Sequence, residues 1–594
     1  MQASVSTPSP SLELARAYAR AGDLRQAEMV CCQILQDDVQ NADALHLLGQ
    51  VAHRMGRYHF ALICLGKAIA LQPLEPRLHH LLGQVYRDLG RLDDAISCYQ
   101  QAIRLAPQEA DPYADLGVAL QLRGRSPEAV ASYHRALQLR PGWAEVYVNL
   151  AVALRAQGQL AEAAAHLRHA MQLAPDNPMI YNNLGVVCQL QGQLDVASSH
   201  YRQAIAIDPT YVKAYNNLGT VLRLQDRLEE ATAALQQALA LDPEYADAYS
   251  NLGLVLQDQG RLDEALWCFE QALQRREDHV EAHWNRALLW LAVGNYAQGW
   301  PEYEWRWRRS VSPPPPLRQP RWDGSPLHGQ TIFVYAEQGL GDTLQFVRYL
   351  PLVAALGGRI LFACQPPLAR LLQRLPAIAH LIVANGIPVP EEPFDVHAPL
   401  LSLPGLLHTT EATIPAAVPY LTPDPELVEK WRPHLAPLPG YKVGLVWAGN
   451  ARHPNDRRRS CTLAQLAPLA QVPGVTLVSL QKGPAAQQVA LLSALPLVDY
   501  SHELHDFADT AALVAHLDLV ISVDTAVAHL AGAMGKPVWT LLPFSPDWRW
   551  QWHRPQTPWY PTMRLFRQPR PGDWPAVVQQ VVAALATQVR ARHG

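Results

Sequence analysis

At 594 residues the chain is too long for one hydrophobic core, and its 49% hydrophobic and 17% charged residues are globular values rather than those of a disordered chain. The net charge of −4 leaves no global basic field for nucleic acid. The first twenty residues lack a basic start followed by an apolar run, and no stretch of about 18 apolar residues occurs, so neither a signal peptide nor a membrane span is expected. The eight cysteines form no CxxC pair, which argues against zinc or a disulfide framework and for reduced thiols in a cytoplasmic protein.

From the N-terminus the chain repeats itself every 34 residues. Gly49, Gly83, Gly117, Ala151, Gly185, Gly219, Gly253 and Ala287 form one column. Ala27, Ala61, Ala95, Ala129, Ala163, Ala197, Ala231 and Ala265 form a second, and Pro73, Pro107, Pro141, Pro175, Pro209 and Pro243 a third. Small residues on two helices let them approach closely, and the proline stops the second helix because it lacks a donor and clashes with the preceding turn. The pattern resembles the tetratricopeptide (TPR) family, whose period is 34. About nine units are expected over residues 8–310, with worn first and last copies acting as caps. A fourth column, Asn149, Asn183, Asn217, Asn251 and Asn285, stands two residues before the small position on the first helix. First helices line the inner groove of a TPR superhelix, where a row of amides can bond an extended peptide backbone. Alternatively, asparagine is merely common at this position. The row resembles the asparagine ladder of eukaryotic O-linked N-acetylglucosamine transferase, to which the overall layout is also similar.

A junction rich in Pro and Trp follows, assigned to residues 311–330, with Trp300, Trp305, Trp307 and Trp322 expected to pack it between the solenoid and the C-terminal part of the chain. From Thr331 short apolar runs alternate with helical stretches. TIFVYAE, RILFACQ, HLIVANG and FDVHAPL make one set of buried strands, and KVGLVWAG, TLVSLQKG, LDLVISVDT and PVWTLLP a second. Strand–helix alternation implies two parallel, doubly wound sheets, hence an α-solenoid followed by two α/β lobes at residues 331–430 and 440–594. Their facing strand ends form the expected cleft. The terminal helix, WPAVVQQVVAALATQVRAR, is expected to brace the first lobe.

Three segments fall where chemistry belongs. In AEQGLGDTLQFVRYLP, Gly339 and Gly341 permit a tight turn with close backbone approach, and Asp342 opens a helix as either a general base or its N-cap. In LVISVDTAVAHLAGAMGKPVWTLLP, a strand runs into Asp524–Thr525 and a helix start able to hold a diphosphate, with His529 one turn along; capping is the competing role. Gly532 and Gly535 are read as packing residues. In WAGNARHPNDRRRSCTLAQL, Gly449 and Asn450 end a strand, and His453, Arg457, Arg458 and Arg459 bring cationic charge. A charge run is usually a solvated face, and one of these arginines is expected to be so.

GLGDTLQF, WAGN…RRRS and SVDTAVAHLAGAMGKPVWTLL together resemble the lipopolysaccharide heptosyltransferase family, over roughly residues 331–590. The resemblance implies a GT-B fold with two Rossmann-like lobes, the first on the acceptor side and the second holding the donor. It places the catalytic carboxylate at Asp342. It places the donor against Gly341, Trp447, Gly449, Asn450, Asp524, Thr525, Ala526 and His529, with Arg457 or Arg459 standing where the family has a phosphate-touching lysine. It also implies inversion by single displacement, no metal and no cofactor beyond the nucleotide-sugar co-substrate; no DxD motif is present. The expected activity is sugar transfer to a protein or peptide held by the TPR groove. The alternatives are a TPR scaffold whose transferase-like domain no longer turns over, or a transferase acting on glycan or lipid and recruited through its repeats.

Overall fold

The computed structural model describes residues 11–309, 315–453 and 455–593. The start of the first expected repeat, at residues 8–10, and residues 311–314 of the junction lie outside these. The chain divides into two compact units, Met1–Asp242 and Pro243–Gly594.

The first unit holds fourteen helices, from Leu12–Ala21 to Leu228–Leu241, in seven pairs. The alanine column is fully buried at each of Ala27, Ala61, Ala95, Ala129, Ala163, Ala197 and Ala231. The glycine column has a partner sixteen residues on. Gly83, Gly117 and Gly185 lie under the buried rings of Tyr99, Tyr133 and Tyr201, while Gly49 and Gly219 lie under Leu65 and Leu235. A side chain at the glycine would occupy the space of the ring. Two of these phenols are anchored as well, Tyr133 to Gln121 at 3.1 Å and Tyr201 to Gln189 at 3.0 Å. The turn between paired helices needs a left-handed residue, supplied by glycine in most repeats and by Asp226 (φ 60°) in the seventh.

The second unit opens with two more helix pairs, Ala246–Asp258 with Leu262–Arg275 and Val280–Ala292 with Tyr296–Tyr303. A four-stranded parallel sheet follows: β1 (Thr331–Tyr335), β2 (Arg359–Cys364), β3 (His380–Val383) and β4 (Val396–Pro399), in the order β3-β2-β1-β4. The second sheet has seven strands: β5 (Tyr441–Val446), β6 (Val475–Ser479), β7 (Leu497–Asp499), β8 (Leu519–Val523), β9 (Val538–Leu542), β10 (Gln556–Thr557) and β11 (Tyr560–Arg567). Their order is β10-β11-β9-β8-β5-β6-β7, parallel except where β10 meets β11. The architecture is thus TPR helices followed by two doubly wound α/β lobes. Strand order reverses between β1 and β4 in the first sheet and between β5 and β8 in the second. These are the points where such sheets open a crevice at their carboxyl ends.

Two expectations are corrected here. The terminal helix, Trp574–His593, does not brace the first lobe. Its apolar face, including Val577, Val581 and Leu585, packs with Val443, Leu445 and Trp447 in the core of the second lobe. Nor does a strand reading that stops at β9 suffice, because β11 extends the sheet beside β9, pairing Leu565 with Thr540. Of the tryptophans near the junction, Trp305 and Trp307 are half-buried and the other two are core residues. Trp300 and Trp322 are buried, and the Trp300 indole donates to the Thr409 carbonyl at 3.1 Å. Among the described residues no helix is long and apolar enough to cross a membrane, and all eight cysteines are free.

The glycine–ring contact sets a stability test. A Cβ at position 83 would lie 2.6 Å from Tyr99 Cε1 and 2.7 Å from Cδ1. Gly83→Val should therefore destabilise the first unit by about 1–3 kcal/mol, measured by thermal or urea unfolding followed by circular dichroism. An unchanged midpoint would show that the ring moves aside without cost.

Candidate active site

The segments singled out by sequence sit at the strand ends flanking the two reversals: Asp342 after β1, the Trp447–Asn450 stretch after β5 and Asp524 after β8. Asp342 is not the N-cap. It is the third residue of the short helix Leu340–Phe346, and its Oδ2 accepts the Gly339 N–H at 2.8 Å. Its Oδ1 accepts from Arg549 of the second lobe. Arg549 is 7% exposed and also donates to Asp547 Oδ1 at 2.8 Å and Gln345 Oε1 at 2.7 Å, with its guanidinium 4.4 Å over the Trp548 ring. Burial works against this charge, but Asp547 and Asp342 outweigh it and hold the guanidinium protonated. Nothing in the sequence marked Arg549; its signal is a charged residue inside PDWRWQW, an aromatic run too apolar for a solvated arginine.

The helix Ala526–Ala533 begins directly after β8. Thr525 is its N-cap and shares a hydrogen bond with Ser522 Oγ at 2.9 Å. His529 is buried, bonded through Nδ1 to the Tyr560 hydroxyl at 2.9 Å and stacked on Trp550. Burial first, then the charges of Arg549 and Arg348, push its pKa well down, so the imidazole is neutral. Gly341 explains how the two lobes come so near: a Cβ there would sit 3.0 Å from His529 Cδ2 and 3.5 Å from Ala526 Cα. The close approach expected of this glycine is therefore toward the second-lobe helix. Gly339 itself has an ordinary φ of −72°. Asp524 is partly buried, and burial and the neighbouring charge of Asp547 raise its pKa to about 6 against the opposing Arg459. Gly532 packs under the Tyr560 ring, whereas Gly535 is needed for its φ of +71°.

After β5 the predicted residues part company. Trp447 is fully buried in the second-lobe core, so its ring does not reach the crevice. Its backbone N–H and that of Ala448 donate to Gln481 Oε1 at 3.0 and 2.9 Å, which fixes the strand end. Gly449 donates to Ser460 Oγ at 2.9 Å, and a Cβ there would lie 2.7 Å from Asp456 Oδ1. Asn450 is exposed and turns the chain by accepting the Arg452 N–H at 3.0 Å. Of the three arginines, Arg457 is exposed, Arg458 pairs with Asp258 at 2.6 Å and Arg459 bonds Asp456 at 3.4 Å. His453 is exposed at the surface; partial desolvation and Arg459 lower its pKa, with Asp547, Asp456 and Asp342 opposing. It therefore senses both carboxylates that hold Arg549.

A second group escaped the sequence reading. Glu337, directly after β1, is buried, and burial raises its carboxyl to about 7 although Arg306 opposes the shift from 3.1 Å. Arg306 also bonds Ser402 Oγ at 2.6 Å.

The asparagine column is partly committed to neighbouring repeats. In the first unit Asn149 and Asn183 are half-buried, and Asn183 donates to the Met179 carbonyl of its own helix at 2.9 Å. Asn217 donates to Asn182 Oδ1 of the preceding repeat at 2.9 Å. One period before Asn149, Asp115 fills the same position and accepts from His80 and Gln84, each at 2.8 Å. In the second unit Asn251 is half-buried, while Asn285 is buried and donates to Ser250 Oγ at 3.5 Å.

Comparison with known proteins agrees with this layout. Tetratricopeptide repeat families match residues 83–124, 144–210, 219–260 and 246–283 among others, and Anaphase-promoting complex, cyclosome, subunit 3 matches residues 20–102. Glycosyltransferase family 9 (heptosyltransferase) matches residues 505–581, which include Asp524, His529 and Arg549 but not Asp342. Protein FlbA of Caulobacter vibrioides is 34% identical over 327 residues, 50% of this chain; the match spans 54% of FlbA's own length. Among solved structures, the APC/C hetero-tetramer Cut9-Hcn1 is 18% identical with a TM-score of 0.36, covering 45% of this chain and 52% of its own. YrrB, a TPR protein with an unusual peptide-binding site, is 23% identical with a TM-score of 0.26, covering 31% and 95%. The chain therefore carries TPR repeats across its N-terminal part and a glycosyltransferase family 9 domain toward its C-terminus.

Proposed function

We propose that the second unit transfers a sugar from a nucleotide-diphosphate sugar to a hydroxyl of a protein or peptide engaged by the TPR repeats, without a metal and with inversion at the anomeric carbon. The observation that carries this reading is the meeting of Asp342, at the end of the first sheet, with Arg549 of the second lobe beside the start of the Ala526–Ala533 helix. A base, a cation and free helical N–H groups are the parts that displacement of a diphosphate needs.

In the proposed step Asp342 takes the proton of the acceptor hydroxyl as its oxygen bonds the anomeric carbon. The bond from that carbon to the diphosphate oxygen breaks, and the electron pair leaves with the nucleoside diphosphate. Arg549, Arg459 and the first N–H groups of the helix balance the charge of the leaving group. Arg549 neutralises Asp342 while the two are paired. A diphosphate competing for the guanidinium would free the Asp342 oxygen for the proton. Asp524, held largely as the neutral acid below about pH 6, can donate to a phosphate oxygen there. On this reading Arg457, exposed beside the crevice, reaches the nucleotide end of the donor.

Three outcomes follow. Asp342→Asn should lower turnover by about 10²–10⁴-fold while leaving the affinity for UDP-, ADP- or GDP-sugars, screened by thermal shift, within a few-fold; undiminished turnover would remove the base. Asp524→Asn tests the buried acid. Wild-type stability should fall as pH rises from about 4 to about 6, because the folded chain holds that proton more tightly than the unfolded chain. The variant should lose this slope and be more stable at pH 7 by on the order of 1–3 kcal/mol, read from urea unfolding at several pH values. Finally, the double change Asn149→Ala with Asn183→Ala should reduce transfer to protein acceptors severalfold and leave hydrolysis of the donor unaltered. Equal activity on protein, or activity confined to glycolipid, would favour a transferase whose repeats only recruit it.

A further inference from the structure

The first unit contains a cluster that neither the repeat architecture nor the transfer chemistry uses. His134 lies on the helix Ser126–Leu139, and Glu162 and His166 lie on the helix Leu160–Leu173 of the next repeat. One ligand atom from each falls within 4.8 Å of the others. Among the described residues this is the one group of three or more His, Cys, Asp or Glu side chains so arranged. Glu162 and His166 are four residues apart, so both project from the same face of one helix, the spacing at which two side chains can share an ion.

We propose that His134, Glu162 and His166 form a binding site for a borderline divalent metal, zinc above all, that clips one repeat to the next. Two imidazole nitrogens and one carboxylate oxygen suit zinc and disfavour magnesium and calcium, which demand oxygen. Tetrahedral zinc with bonds near 2.1 Å needs ligand atoms about 3.4 Å apart. The closure required is small and falls on side chains with room to move: Glu162 is exposed, and the two imidazoles are only partly buried. The His134 and His166 rings meet edge to face at 5.7 Å, so their nitrogens converge without the rings stacking. Tyr147 stacks on His166 and meets His169 edge-on, which holds the second ring in place as a ligand's outer contacts do. The charged and titratable groups that act on His166 are His134, Glu162 and His169; no lysine or arginine is among them to repel a cation. A fourth position is left for water, because Glu162 opens to solvent. The sequence had led to no expectation of a metal, since the three residues come from two repeats and make no motif.

The test uses the full chain freed of metal with EDTA. Zinc titrated by calorimetry should bind one equivalent lost in the His134→Ala, His166→Ala double variant, and zinc at saturation should raise the unfolding midpoint of the wild type by several degrees but not that of the variant. Glu162→Gln, which keeps the helix surface intact, should weaken binding at least about tenfold; it decides the matter if the histidine variant fails to fold. Cobalt in place of zinc should give visible bands of a nitrogen and oxygen site. Full-strength binding by the variants, no saturable binding by the wild type, or a thiolate-to-cobalt band marking the cysteines instead, would each overturn the proposal.

Discussion

The guanidinium of Arg549 lies between the carboxylates of Asp342 and Asp547, and much of the crevice is arranged around it. An arginine this deeply buried is tolerable only because two anions, a glutamine and an indole face surround it. Its charge reaches further: with burial it helps to keep His529 neutral, and it opposes the rise in the Asp524 carboxyl. The positions of the two sheets matter because this one ion pair takes its anion from the end of β1 and its cation from beyond β9. Gly341 permits that distance, since any side chain there would press on His529.

The repeats obey a different rule. Six pairs of helices close on one contact, a glycine against a large side chain sixteen residues later, and its recurrence keeps the period of 34. Polar residues between repeats follow suit. His80 with Asp115, Asn182 with Asn217 and Ser250 with Asn285 are all pairs separated by 35 residues. Part of the asparagine column thus holds neighbouring repeats in register. Asn183, Asn217 and Asn285 are each tied on one side.

Much of this was legible from residues. The helix pairs and eight of the eleven strands follow from periodicity, because a small residue every 34 positions and a buried apolar run each have one physical use. Asp524 was legible for the same reason, since a carboxylate directly after a buried strand stands at the sheet's carboxyl edge, and the glycine-containing turn after β1 brought Asp342 to the matching edge of the first sheet. What could not be read were contacts between residues far apart in sequence. Arg549 finds Asp342 across 207 positions, and Arg306 finds Glu337 across 31. Trp447 misled because a tryptophan at a strand end looks available until the Gln481 amide and the terminal helix are seen to enclose it. The strand β11 was missed because its alternation is broken by Pro561 and two arginines, as suits a strand whose outer neighbour is only the two-residue β10.

The bond between Arg306 and Glu337 bears on how such a chain can be cut or recombined. Arg306 belongs to the segment that follows the last repeat helix, yet its guanidinium lies inside the fold of the first lobe, against Glu337 and Ser402. A fragment beginning at β1 would retain a buried acid stripped of its counterion, next to the loop that presents Asp342. The C-terminal half of the molecule is therefore not a cassette that ends where its sheets begin. Its folded unit includes the closing turns of the solenoid, whose Arg306 supplies the counterion of a buried acid in the first lobe.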